Sequence, residues 1–174
     1  FTGSVSASML KKVGAEYIII GHSENRLFGD TDEIIKKKIE STLNQNLNII
    51  FCIGETINQK KNKQTLNVIS KQIKNALSRN FNFDKIIFAY EPVWSIGSNR
   101  IPNPNDLRRI ILFIKNNLKK IMKKKIIPKV LYGGSVNHKN IALFSKIEEI
   151  DGFLIGGASQ SAKKFIDIIK NYYK

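Results

Sequence analysis

The chain has 174 residues, with 29 Lys+Arg against 14 Asp+Glu for a formal net charge of +15. At 42% apolar and 25% charged it has a globular composition, not a disordered one, and no run approaches the ~18 uninterrupted apolar residues of a membrane span. A lone cysteine, Cys52, excludes an internal disulfide and a cysteine-clustered zinc site; the expectation is a soluble, cytoplasmic chain forming one domain, with no membrane association.

The first apolar, β-branched run, Tyr17-Ile18-Ile19-Ile20, predicts a strand and is followed by Gly21-His22-Ser23-Glu24. Thr31-Asp32-Glu33 then opens a helix through Ile34, Ile35, Ile39 and Leu43, with acids in the first turn and Asp30 or Thr31 as N-cap. A second strand, Asn48–Ile53, ends in Gly54-Glu55, and Leu66, Ile69, Ile73, Ala76 and Leu77 make a helical stripe. The third strand, Lys85–Tyr90, runs into Glu91-Pro92, and Pro104-Asn105-Asp106 starts a helix carrying Leu107, Ile110, Ile111, Ile114 and Leu118. Strands at Lys129–Tyr132 and Gly152–Ile155 precede Gly133-Gly134-Ser135 and Gly156-Gly157, with shorter helices at His138–Phe144 and Ala162–Ile169.

Strand and helix thus alternate five times, the rhythm of a parallel α/β fold, and the near-continuous apolar runs predict strands covered on both faces. Polar and glycine residues cluster after each strand, where parallel α/β folds build their sites.

Gly133-Gly134-Ser135 and Gly156-Gly157 suit an anion cradle, since glycine lets backbone N–H groups approach a phosphate closely; a plain tight turn reads each pair equally well. Glu91, at a strand's carboxyl end beside Tyr90, Val93 and Trp94, is placed for a raised pKa and proton abstraction, or else for a surface salt bridge. His22 can aim a ring N–H into the same mouth to polarise a carbonyl, or can be satisfied locally at a helix start. His138, among Asn137 and Lys139, reads as surface. Pro92–Pro104 has a flexible middle between stiff ends, as a lid needs, but also fits an ordinary, if long, βα loop.

The excess positive charge invites a nucleic-acid reading. However, 24 of the basic residues are Lys and 5 Arg, and Lys, Ile and Asn together fill 71 of the 174 positions. One composition-wide bias explains this better than phosphate-backbone recognition, where Arg supplies the bidentate contacts. The run Lys119-Lys120-Ile121-Met122-Lys123-Lys124-Lys125 closes a helix, where cations complement the dipole. No nucleic-acid partner is expected.

Taken together, Gly21-His22-Ser23-Glu24, Cys52-Ile53-Gly54-Glu55, Ala89-Tyr90-Glu91-Pro92-Val93-Trp94-Ser95-Ile96-Gly97, Tyr132-Gly133-Gly134-Ser135-Val136 and Gly152-Phe153-Leu154-Ile155-Gly156-Gly157-Ala158-Ser159 resemble the triosephosphate isomerase family. The resemblance implies a (β/α)8 TIM barrel, of which this chain carries about five βα units (strands 4–8). It implies cofactor-free and metal-free interconversion of dihydroxyacetone phosphate and D-glyceraldehyde 3-phosphate, a step of glycolysis and gluconeogenesis. Glu91 would be the base and His22 the neutral electrophile; triosephosphate isomerase is itself the standard case of such a pair. Gly97 on the lid, with the backbone N–H groups of Ser135, Gly156 and Gly157, would hold the phosphate. Glu24 would support His22, and Cys52 would be the family's buried cysteine.

The family's lid reads Ala-Ile-Gly-Thr-Gly-Lys where this chain has Ser95-Ile96-Gly97-Ser98-Asn99-Arg100. Asn99 thus falls where a glycine could take a positive φ, a conformation Asn tolerates better than most residues. A barrel of this type takes ~250 residues, and the resemblance starts midway, at Phe1-Thr2-Gly3. The family's first three strands, its strand-one Asn and its catalytic Lys have no counterpart, so the expectation is a piece of a longer protein, inactive alone. The family is a homodimer whose third-loop tip enters the partner's site, which would make Thr2 and Gly3 an interface. Another phosphate-binding barrel enzyme and a basic polyanion-binding module are the alternatives.

Overall fold

A computed structural model describes residues 3–122 and 127–173. In chain order the elements are α1 (Ala7–Lys12), β1 (Tyr17–Ile20), α2 (Ser23–Leu27), α3 (Asp32–Asn44), β2 (Asn48–Ile53), α4 (Ile57–Lys61), α5 (Thr65–Ala76), β3 (Ile86–Tyr90), α6 (Pro104–Ile121), β4 (Val130–Tyr132), α7 (Ile141–Phe144), β5 (Gly152–Phe153) and α8 (Ala162–Tyr172). The five strands form one parallel sheet in the order β1-β2-β3-β4-β5. Neighbours in sequence are neighbours in the sheet, as in an arc of a (β/α)8 barrel.

Each helix is cut from the sequence by local chemistry. Thr31 is the N-cap of α3: its Oγ1 accepts from the Ile34 N–H at 3.3 Å, satisfying a donor that the first turn leaves free. Thr56 and Gln59 close a reciprocal capping box on α4. Asn103 caps α6, with Pro104 inside the first turn.

The core lies between sheet and helices. Ile35 and Ile39 of α3, Ile69 and Ile73 of α5, and Leu107, Ile111, Ile114 and Leu118 of α6 are buried against Ile49, Phe51, Phe88, Val130 and Tyr132. The opposite face of α6 carries Asn116, Lys119 and Lys120, while Lys115 on its flank pairs with Asp151 at 2.7 Å. In register, Phe51 sits beside Phe88 and Tyr90 beside Tyr132.

Several expectations are corrected. β1 is not covered on both faces: Tyr17 and Ile19 are 50% and 46% exposed, because this strand pairs only with β2 among the described residues. β5 stops at Phe153, two residues early, where the chain turns out toward the Gly156-Gly157 loop. The helix expected from His138 is a turn over Asn137–Asn140 that becomes α7 only at Ile141; the Asn137 side chain accepts from the N–H groups of Lys139 and Asn140 and holds that turn. The short helices α1 and α4 were not expected, being too brief to show a periodic stripe; α2 bears out the reading of His22 as satisfied locally at a helix start. Helix α6 ends at Ile121; Lys123, Lys124 and Lys125 of the basic run lie outside the described residues, as does Thr2.

Candidate active site

Glu91 leaves the end of β3 into a tightly built pocket. Its N–H donates to the Ile53 carbonyl at 2.8 Å, and the Gly133 N–H donates to the Tyr90 carbonyl at 2.9 Å, so three strand ends are tied beneath it. The residue is 5% exposed, and Oε2 has no hydrogen-bond partner among the described residues. Two glycines make room for it. A Cβ on Gly133 would lie 2.7 Å from Glu91 Cγ and 3.0 Å from Oε1, and a Cβ on Gly54 would overlap the Glu91 carbonyl. Gly54 is in turn held by both ends of the Gln72 amide, which accepts from its N–H at 2.9 Å and donates to its carbonyl at 3.0 Å.

Burial raises the pKa of Glu91 above the ordinary carboxyl value, with Glu24 adding to the rise and His22 and the neighbouring Cys52 thiol opposing it. The same burial, with Glu91 beside it, pushes the Cys52 thiol up, which leaves it a packed and unreactive group.

His22 is the N-cap of α2. Its Nδ1 accepts, at a long 3.4 Å, from the Glu24 N–H, so a neutral ring carries its proton on Nε2. That nitrogen faces Glu91 Oε1 at 3.8 Å. The backbone of Glu24 is what supports the ring; its carboxylate is exposed, and its Oε2 is 4.0 Å from Nδ1. Gly21, at φ +79°, allows the turn that brings His22 in: a Cβ there would sit 2.9 Å from the Cys52 carbonyl. Arg26 braces the turn by donating to the Gly21 carbonyl at 2.8 Å while paired with Asp32 at 2.8 Å.

One cavity of about 690 Å³ is lined by His22, Glu91, Gly97, Ser135, Gly156 and Gly157. All six residues proposed from the sequence therefore meet in one place. His138 is exposed as expected, but it also lines this cavity, beside Lys139.

Two further findings concern the loop 92–104. Gly97 and Asn99 have φ of +64° and +58°, so Asn99 does occupy a left-handed position. The Ser135 amide is not free: it donates to Ser95 Oγ at 3.1 Å, which corrects the expectation of an open N–H there. The loop's entry is pinned by groups that sequence reasoning passed over. Trp94 Nε1 donates to Glu55 Oε1 at 2.8 Å, the Tyr90 hydroxyl donates to Glu55 Oε2 at 3.1 Å, and Lys60 Nζ stands 3.4 Å from the Trp94 ring centroid. Glu55 is 1% exposed. Its place in the Cys52-Ile53-Gly54-Glu55 segment was the available signal.

No cluster of three or more His, Cys, Asp or Glu side chains able to hold a metal ion occurs among the described residues. No described helix is long and apolar enough to cross a membrane.

The family model described as triosephosphate isomerase matches residues 1–172. Proteins named triosephosphate isomerase from Thermodesulfovibrio yellowstonii and Ruthia magnifica are 42% and 44% identical to this chain, each over 98% of it and 70% of their own length. The protein of that name from Dictyostelium discoideum is 40% identical, over 98% of this chain and 68% of its own length. With the imidazole, the carboxylate and the glycine loops gathered on one cavity, these matches show that the chain belongs to the triosephosphate isomerase family.

Proposed function

We propose that the protein interconverts dihydroxyacetone phosphate and D-glyceraldehyde 3-phosphate, with Glu91 as the base and His22 as the electrophile. The observation that carries this is the approach of His22 Nε2 to Glu91 Oε1, 3.8 Å apart, on a cavity shared with Gly97, Gly156 and Gly157.

Glu91 removes a proton from the substrate carbon next to the carbonyl, and the bonding pair moves into a carbon–carbon double bond as the carbonyl π electrons pass to oxygen. The His22 Nε2–H donates to that oxygen as charge grows on it. Glu91 returns its proton to the adjacent carbon while the hydroxyl proton of the other oxygen passes to His22 Nε2, which has given its own to the first oxygen; the other oxygen becomes the carbonyl, and the isomerisation closes with no net gain or loss of atoms or electrons. A buried carboxylate suits proton abstraction, because burial raises its pKa and it then binds a proton more strongly than an exposed one. The amides of Gly97, Gly156 and Gly157 hold the phosphate, joined by Ser135 once its amide is released.

Glu91→Gln in the full-length protein should lower kcat by at least about a thousandfold while phosphate-analogue binding stays within about twofold. Turnover near the wild-type rate would overturn the reading. The same reading carries a homodimer, supported by the exposure of Val5 and Met9 next to Gly3, which sedimentation would test. It also carries a cytoplasmic setting, which cell fractionation would test.

A further inference from the structure

Ser95 stands where the family's lid carries an alanine, and its hydroxyl ties its own loop to the segment that ends β4. Ser95 is completely buried. Its Oγ donates to the Arg100 carbonyl at 2.5 Å. A serine hydroxyl has one proton and two lone pairs, so its other two contacts are accepted ones: from the Ser135 N–H at 3.1 Å and the Tyr132 hydroxyl at 3.3 Å. The inventory is then full. Gly134 is shaped to this node, because a Cβ there would overlap the Tyr132 hydroxyl and lie 2.8 Å from Ser95 Oγ. Ser98 adds a second tie across the same neck, donating to the Trp94 carbonyl at 2.8 Å and accepting from the Arg100 N–H at 3.2 Å.

We propose that Ser95 is a positioning residue whose hydroxyl fastens the neck of the loop 92–104 to the glycine loop after β4 and holds the very amide, that of Ser135, which a bound phosphate claims. Phosphate binding and release of this fastening are then one exchange: an N–H that turns to a phosphate oxygen leaves Ser95 Oγ short of a donor, and the loop neck loosens as the ligand is taken. This rests on the phosphate reading of the cavity. The alanine variant removes the competitor for the amide and the clasp on the neck together.

The test compares wild type, Ser95→Ala and Ser95→Thr in two measurements. Amide exchange by NMR without phosphate reads the Ser135 N–H directly, with the Phe88 N–H, bonded to the Lys129 carbonyl at 2.9 Å, as a core reference. Titration with inorganic phosphate is followed by the emission of Trp94, the chain's one tryptophan. In Ser95→Ala, exchange at Ser135 is expected to quicken about fivefold, the worth of one hydrogen bond, with Phe88 unchanged. Phosphate should bind about fivefold tighter, and Ser95→Thr should keep wild-type values in both. Unchanged exchange at Ser135, or equal acceleration at Ser135 and Phe88, would overturn the proposal, the second by showing a merely structural role. A wild type that binds no phosphate overturns the cavity reading and the exchange with it, while the Ser135 measurement still decides whether Ser95 fastens the neck.

Discussion

Glu91→Gln should make the protein more stable at neutral pH even as it removes the proposed base. Glu91 is buried, its Oε2 has no partner among the described residues, and the nearest imidazole nitrogen is 3.8 Å from Oε1, beyond hydrogen-bonding range. Desolvating an unpaired buried acceptor costs about 1–3 kcal/mol, and more when it is charged; the amide leaves its own polar group unpaired there, so what it saves is the cost of the charge. Because folding raises the pKa of Glu91 above the ordinary 4.5, the native state binds the proton more tightly than the unfolded chain. Its contribution to stability is therefore greatest below that ordinary value, falls as pH climbs toward the folded pKa, and stays low above it. The variant should gain about 1–3 kcal/mol at pH 7, or about 2–4 °C in Tm for each kcal/mol. Near pH 4, where wild-type Glu91 is protonated in the fold, the gain should shrink almost to nothing. Urea unfolding followed by circular dichroism at the two pH values measures both. A variant less stable than wild type at pH 7, or equally more stable at both, would refute the reasoning.

Gly133→Ala places a methyl 2.7 Å from Glu91 Cγ, so the carboxylate must shift by several tenths of an ångström; kcat should fall about 10- to 100-fold with the circular dichroism spectrum unchanged. Asn99 lies at φ +58°, so Asn99→Val should cost about 1–2 kcal/mol in urea unfolding while Asn99→Gly costs nothing. Ile111→Ala, at a fully buried position of α6, should lose about 2–5 kcal/mol by the same method.

The alternation of apolar runs with helical stripes made the five strands and the three longer helices legible from residue types alone, because each of those segments is long enough to repeat its pattern. Ile69, Ile73 and Ala76 show this in α5: their spacing predicts one buried face, and that face is buried. Helix α2 shows the limit. Five residues carry no period, and what nucleates it is His22, a residue whose capping role depends on where its ring is pointed by Gly21. The meeting of His22 with Glu91 was legible only as far as the rim: both follow strands of a parallel fold and so share one mouth, but no pattern in the sequence sets the 3.8 Å between them. The occupied Ser135 amide was hidden for another reason. It depends on a hydroxyl 40 positions away in sequence, and a serine in a loop gives no sign of where its proton goes.

Helix α6 separates two kinds of evolutionary freedom. Isoleucine and leucine fill its inner face, and lysine and asparagine crowd its outer one. A lineage pushed toward isoleucine, lysine and asparagine can therefore absorb the pressure in the wall of the molecule, swapping one aliphatic for another inside and one solvated side chain for another outside.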